Sequence, residues 1–433
     1  MRLRKRGFRV AYAAMFVAAA AALLASATSG HALAATHAVT PAVGTTPHAK
    51  FLGMVSNTNP QLHFSCQDTA GCYDPAQIRK AYGFDQLSQD GAGRTIVIVD
   101  AFQSPTIQQD LALFSSVFGL PAGNLNIIAP DGLTPFDPND ANMVGWSGEI
   151  TLDVEWAHAI APAATLDLVL AKSNQDADIL SATRYAVDHN LGDVISQSFG
   201  EGEICMDPTL LAAQHALFQQ ATAKGMTLLA SSGDQGSAQP TCDGSSFFKS
   251  ASTPASDPNV TGIGGTRLVA DSAGNYQSES TWNEFSTFEA AGGGGFSTVY
   301  GTPAYQHRLH LASRGVPDVS YNAAIIGGVL AVWSVPLGAP AFFRFGGTSA
   351  GSPQWAGLVA DADQLKGGRI GLLNNRLYGW GTSGTLANRL FHDVTTGDNA
   401  FGDISGFDAT PGWDAATGLG SPKANALVPM LAG

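Results

Sequence analysis

Between Thr95 and Ala230 the chain alternates short apolar, β-branched runs with longer stretches of helical period, and few folds accept that pattern. Residues 95–99, 125–129, 165–170, 194–198 and 227–230 are predicted strands. Ser104 and Pro105 open a predicted helix that runs to Phe118, and 148–160, 176–190 and 209–224 read as helices. Strands separated by helices need right-handed crossovers, so the expected fold class is α/β with a doubly wound, mostly parallel sheet flanked by helices. Ligands of such sheets sit beyond the carboxyl ends of the strands, which is where chemistry is to be sought. From Ser231 to Phe345 glycine and proline punctuate loops and short strands, the last 60 residues or so are turn-rich with many aspartates, and no internal repeat is evident.

Ser349 stands between small residues (Gly346, Gly347, Thr348, Ala350, Gly351) just ahead of an apolar run from Trp355 to Leu365. Glycines let the backbone turn tightly and a substrate approach, and a helix starting at Ser349 would aim free N–H groups at a developing negative charge. Ser349 is therefore a candidate nucleophile, although the same pattern also describes an ordinary capped helix start. A hydroxyl nucleophile needs a base. Glu149 and Asp153 lie four apart and share one helix face, where their charges repel and one carboxyl is pushed to keep its proton. Glu149 can then take the serine proton with Asp153 holding it in place; on spacing alone, a solvated helix face also accounts for the pair. Asp234, in the segment Ser231 to Gly236 after the last predicted strand, could donate to an oxyanion if protonated, or merely close a turn.

Taken together, Gly148 to Asp153, Ser232 to Asp234 and Gly347 to Ala350 resemble the sedolisin family, the serine-carboxyl peptidases. Further similarity lies in Ala159 to Pro162, Gly292 to Ser297 and Gly315 to Ser320, so the resemblance covers about residues 75 to 433. It implies a subtilisin-like fold in which Ser349 is nucleophile, Glu149 base, Asp153 its partner and Asp234 the oxyanion stabiliser. It also implies an extended polypeptide substrate, with Ser232, Gly293, Gly294 and Gly295 in the binding cleft, and one Ca2+ held by Asp393, Val394, Thr410, Gly412 and Asp414, an oxygen set suited to a hard cation. Two departures stand out: Gly351 occupies a position where serine is usual, and only about 40 residues separate the signal peptide from Tyr73, where the family commonly has a long folded pro-segment.

The N-terminus has the three parts of a secretory signal peptide: Arg2, Arg4, Lys5, Arg6 and Arg9, an apolar run from Val10 to Leu24, and Ala32, Leu33, Ala34 as cleavage site. The expected organisation is a signal peptide at 1–34, a mobile leader with a small disulfide loop at 35–72, and a peptidase domain at 73–433. Removing 1–34 takes five of the 22 basic side chains and none of the 35 acidic ones, moving the formal charge from −13 to −18. That disfavours a nucleic-acid partner and suits acidic surroundings. After export, a monomer free of the membrane is expected. The four cysteines lack metal-site spacing, and of three possible connectivities Cys66–Cys72 with Cys205–Cys242 is the simplest. Three rival readings remain. Gly347 to Gly351 fits the Gly-x-Ser-x-Gly elbow of a secreted esterase with a downstream acid and His392, but this leaves the acid pair and Asp234 unexplained. An Asp100–His158 triad fails because His158 lies about 140° round the helix from Asp153. A non-catalytic binding protein on a peptidase scaffold is the third.

Overall fold

Ile96, Val97, Ile98 and Val99 are all fully buried, which an alternating strand achieves only when both faces of its sheet are covered. The computed structural model describes residues 44–54, with side chains only to Phe51, and 71–433. Two short strands open it, β1 (Thr46–Pro47) and β2 (Lys50–Met54). The body follows with β3 (Thr95–Ala101), α1 (Ile107–Phe118), β4 (Asn124–Ile128), α2 (Ala141–Ile160), β5 (Thr165–Ala171), α3 (Asp176–Asp188), β6 (Val194–Gln197), β7 (Phe199–Gly202), α4 (Pro208–Ala223) and β8 (Thr227–Ser231). It closes through β9 (Thr261–Ala270), β10 (Tyr276–Thr281), β11 (Val319–Asn322), β12 (Gly328–Val332), β13 (Phe342–Gly346) and α5 (Gly351–Lys366), with short helices beyond.

The main sheet runs in the order β10-β9-β8-β6-β3-β5-β4, with β11 also paired to β9. Every pairing is parallel except β9 with β10. This is the expected doubly wound, subtilisin-like α/β architecture. Ile96, Ile98, Leu166 and Leu168 pack toward Phe114, Trp156 and Leu358 on one face. Val97, Val99 and Ile195 pack toward Ile179, Leu217 and Phe218 on the other. Each such side chain contributes roughly 1.5–3 kcal/mol when fully buried.

The sequence puts the start of α2 at 148; it begins at Ala141, because Asp140 caps the backbone N–H groups of Asn142 (2.8 Å) and Met143 (3.3 Å). From Trp146 to Ile160 every residue is buried, so α2 is an interior helix and a solvated face is excluded for Glu149 and Asp153. Ser349 does not begin the α-helix: it lies in a single 3₁₀ turn, Thr348–Ala350, and α5 starts at Gly351. A side chain at Gly351 would bring its Cβ within 2.8 Å of Ile263 Cγ2 and 3.0 Å of Tyr321 Cβ, which accounts for the glycine there. The Cys205–Cys242 bridge forms as expected; Cys66 lies outside the described residues, as do the signal peptide and most of the leader.

The described part of the leader, residues 44–54, is paired to the body. Thr46 and Pro47 pair antiparallel with Gly200 and Phe199, and β2 pairs antiparallel with β13, Lys50 opposite Gly346. Thr45 and His48 are buried, and Phe51 meets Trp333 edge-on at 5.0 Å. The segment is short of helical or core periodicity, so its order comes from sheet edges supplied by the body.

Candidate active site

The carboxyl ends of β3, β6 and β8, the middle of α2 and the turn after β13 meet at one place. α2 presents Glu149 and Asp153, both with no exposed surface. β3 adds Asp100, equally buried, beside them. Burial, then the neighbouring charge of Asp153, raises the Glu149 carboxyl well above the usual range. Burial followed by Asp100 does the same to Asp153, and burial followed by Glu149 does it to Asp100. Ser198 donates to Asp153 Oδ1 at 2.8 Å, while among the described residues Glu149 Oε1, Asp153 Oδ2 and both Asp100 oxygens have no hydrogen-bond partner. Protons held among these acids therefore have several acceptors at equal depth.

Ser349 is delivered by the turn after β13. Its hydroxyl faces the Glu149 carboxyl closely enough to favour the carboxylate form and donates to Ser198 O at 3.2 Å. Asp234 follows β8 and receives the Thr348 N–H (2.8 Å) and Thr348 hydroxyl (2.9 Å) on Oδ1, leaving Oδ2 buried and unpartnered. Burial raises its carboxyl to about 6, against the opposing charge of Lys50 and the Thr348 hydrogen bonds. Asp234 is thus protonated in acid with an oxygen free to donate.

The leader crosses this group. His48 N–H donates to Ser198 O at 3.1 Å, and Ala49 N–H donates to Glu149 Oε2 at 2.7 Å. Gly347 has φ +96°, and a Cβ there would lie 2.1 Å from His48 O and 2.7 Å from Asp234 Oδ2, so the His48 carbonyl and the free Asp234 oxygen occupy the same corner. Only glycine admits both. Ser198 O thus receives both the Ser349 hydroxyl and the His48 N–H, Glu149 receives the next N–H, of Ala49, and the His48 carbonyl lies in the corner it shares with Asp234.

The Subtilase family profile matches residues 146–376. The chain is 35% identical over 378 residues to kumamolisin of Bacillus sp. (strain MN-32) and 32% identical over 370 residues to sedolisin of Pseudomonas sp. (strain 101). These alignments cover 83% and 82% of the chain, which spans 63% and 60% of the length of those two relatives. The structure of Pseudomonas sedolisin, a serine-carboxyl proteinase complexed with two molecules of pseudo-iodotyrostatin, superposes with a TM-score of 0.73 at 30% identity, covering 83% of this chain and 98% of that one. The chain belongs to the subtilase family, on its sedolisin branch.

In this sedolisin-type chain the four residues singled out by sequence, Ser349, Glu149, Asp153 and Asp234, are brought together. His158 is not among them: its Nε2 meets Pro121 O at 2.9 Å. His392 stacks on Tyr276 at 3.7 Å, away from any contact with Ser349 among the described residues. The glycine run lies under the Asp234 loop instead of along an open cleft. Gly293 N–H donates to Gly233 O at 2.7 Å and Ser232 hydroxyl to Gly293 O at 2.6 Å; a Cβ at Gly294 would sit 2.1 Å from Ala415 O. Gly293, Gly294 and Ser232 brace Asp234, and Gly295 continues into a short strand with Phe296.

Asp393 accepts from Gly412 N–H at 3.1 and 3.0 Å, and Asp414 accepts from Thr410, Ala416 and Thr417 N–H at 2.8–3.0 Å. Among the described residues no backbone N–H engages the carbonyls of Val394, Thr410 or Gly412. Two carboxylates and three free carbonyls around one loop fit a hard cation. Among the described residues no three or more His, Cys, Asp or Glu side chains are grouped so as to hold a metal ion, so a metal here would depend on those carbonyls.

Sequence reading missed Ser198, which touches both Asp153 and Ser349, and weighed Asp100 only in a histidine triad. The available signal was position: each directly follows or closes a predicted strand.

Proposed function

We propose that the chain is a secreted, acid-acting serine-carboxyl peptidase that hydrolyses peptide bonds through an acyl-enzyme on Ser349. The observation that carries this reading is the leader's backbone: a peptide bond whose nitrogen donates to Glu149 while its carbonyl oxygen shares with Asp234 Oδ2 the space that only the glycine at 347 leaves open. Glu149 takes the Ser349 proton as the serine adds to the carbonyl and returns it to the leaving nitrogen. Asp153, steadied by Ser198, orients Glu149 and shares its proton. Asp234, protonated, donates to the developing oxyanion; ionised, it would repel that charge. The buried acids need protons to work, which favours activity below about pH 6, where burial sets Asp234.

The substrates are polypeptides held extended along β7, and Gly295 is the member of the glycine run best disposed to touch them. Asp393, Val394, Thr410, Gly412 and Asp414 would hold one Ca2+, whose contribution is to tie the 410–418 loop. The basic and apolar N-terminus supports export, and no helix among the described residues is long and apolar enough to cross a membrane. A monomer is the assembly proposed, in keeping with a site whose residues all come from one chain.

Digestion of a denatured protein mixture by the purified chain between about pH 3 and 8 tests the reading. Cleavage concentrated below about pH 6 is expected from the Asp234 value. A neutral or alkaline optimum would overturn the mechanism.

A further inference from the structure

Asn399 has no exposed surface, although it sits in a turn-rich segment between Asp398 and Asp403. Its carboxamide is used at both ends. Nδ2 donates to Gly292 O at 3.2 Å and Oδ1 accepts the Phe407 N–H at 2.8 Å, while the backbone carbonyl accepts the Ser237 N–H at 2.9 Å. Ser237 lies three residues beyond Asp234, past the turn that follows β8. One residue thereby joins the Asp234 turn, the glycine run and the loop that closes at Phe407. The approach is as close as backbone allows: a Cβ at Gly236, whose φ is +58°, would lie 2.2 Å from Asn399 O, and one at Gly294 would lie 3.1 Å from Asn399 Nδ2. The glycines have no side chains with which to fix their own place under the turn, so hydrogen bonds must do it. They in turn support Asp234. Ala291 N–H donates to Asp234 O at 2.9 Å, Gly236 N–H to Ala291 O at 2.8 Å and Gly293 N–H to Gly233 O at 2.7 Å. From the opposite side Thr348 holds the same turn through Gly233 and Asp234 Oδ1.

We propose that Asn399 is a positioning residue for the reaction: by fixing the glycine run against the turn after β8, it keeps Asp234 Oδ2 aimed at the corner beside Gly347 where the oxyanion forms. This rests on the peptidase reading above. Asn399 touches none of the reacting groups, and its effect passes through Gly292 and Ser237 to Asp234. Without the amide, Gly292 O loses its donor and Phe407 N–H its acceptor in a buried place, where an unpaired group is costly enough to move backbone. The glycine run shifts to find new partners, and the turn bonded to it shifts as well. Lys50 and Glu149, the charged groups that act on or feel Asp234, belong to other elements and are left untouched.

The test is a double-mutant cycle on protein cleavage by the full chain at about pH 4, with folding followed by circular dichroism. Asn399→Ala should lower kcat by about tenfold, one hydrogen bond's worth of alignment, and leave KM unchanged. In an Asp234→Ala background the same substitution should lower kcat by less than about twofold, because the group being positioned is gone. An equal loss in both backgrounds would assign Asn399 to the fold at large and overturn the inference, as would a raised KM with kcat unchanged. Asn399→Asp supplies the conservative rescue. Protonated, its hydroxyl donates to Gly292 O while the other oxygen accepts from Phe407 N–H; ionised, it turns a bare oxygen toward the Gly292 carbonyl. Its kcat should therefore match wild type at about pH 3 and fall behind it as pH rises toward about 6. A variant as slow as Asn399→Ala at every pH would overturn the role of the Gly292 bond. If Asn399→Ala does not fold, Asn399→Asp at about pH 6 takes its place in the cycle, with the same two outcomes. A wild type that cleaves no protein at any pH would overturn the peptidase reading, and this inference with it.

Discussion

Asp318 and the acids around Glu149 are equally buried, yet the structure provides for them in opposite ways. Asp318 takes both forks of Arg314 at 2.7 and 2.5 Å, the Tyr378 hydroxyl at 2.7 Å and the Gly262 N–H at 2.7 Å. Arg314 is itself wholly buried, so charge and lone pairs are satisfied together. Among the described residues Glu149, Asp153 and Asp100 have no cation as partner and leave four oxygens unpaired. The first acid is a joint that holds β11 to the β9 edge. The others are kept costly, and their cost is relieved by protons, which is what proton transfer at Ser349 requires.

Substitutions can break that distinction, and the expected effects descend in size. Ser349→Ala should lower protein cleavage by roughly 10⁴-fold or more, as loss of a nucleophile does elsewhere, with an unchanged Tm; a residual rate near wild type would remove Ser349 from the chemistry. Arg314→Ala should cost about 3–5 kcal/mol in chemical denaturation, because it strands a buried carboxylate, while kcat per folded molecule holds. Loss of activity without loss of stability would mean the two acid groups are not separate in role. Asp234→Ala should lower kcat by roughly 10²–10³-fold, the size of one oxyanion donor. Asp234→Asn keeps a donor, so it should lose less and flatten the fall in rate near pH 6.

The unsatisfied acids also predict how stability follows pH. Burial raises Asp234 to about 6, Asp363 to about 7 and Asp361 to about 8, all above their unfolded values near 4. For a raised acid the folded state binds the extra proton, so its stabilisation is complete below the unfolded value and is lost as pH rises through the folded one. Thermal unfolding followed by circular dichroism should give a Tm several degrees higher at pH 4 than at pH 8. A higher Tm at pH 8 would show that these acids find partners on ionisation, and the contrast with Asp318 would fail.

Much of this was legible in the chain. Apolar β-branched runs and helical runs between Thr95 and Ala230 forecast the sheet and its crossovers, because core burial and local propensity agree there. The nucleophile, acid pair and oxyanion aspartate were legible as motifs in order, though their burial was not: Trp146 to Ile160 contains Glu149, Asp153, Glu155 and His158, polar residues that read as an exposed face. The leader could not be read at all. Thr45 to Lys50 has no pattern of its own, and its order depends on edges offered by β7 and β13 from 150 to 300 residues away. Ser198 escaped for a similar reason, since half its role is played by a backbone carbonyl.

The smallest expected effect concerns the 410–418 loop, where Asp414 resembles Asp318 in being saturated and Asp393 accepts only one N–H. If the carboxylates exist only to cap that loop, a chelator changes nothing. If they hold Ca2+ with the free carbonyls of Val394, Thr410 and Gly412, chelation should lower the Tm by a few degrees, and calcium in excess should restore it. Asp414→Ala cannot decide this, because it removes the acceptor of four donors, the N–H groups of Thr410, Ala416 and Thr417 and the Thr417 hydroxyl, whether or not a metal is bound. Asp393→Asn can: its amide oxygen still accepts from Gly412, so the fold of the loop survives while the charge that draws a cation is gone. Chelation should then shift the wild type and leave Asp393→Asn where it was. Equal shifts in both would move the cation elsewhere, and no shift in either would make the loop, like Asp318, a joint complete without metal.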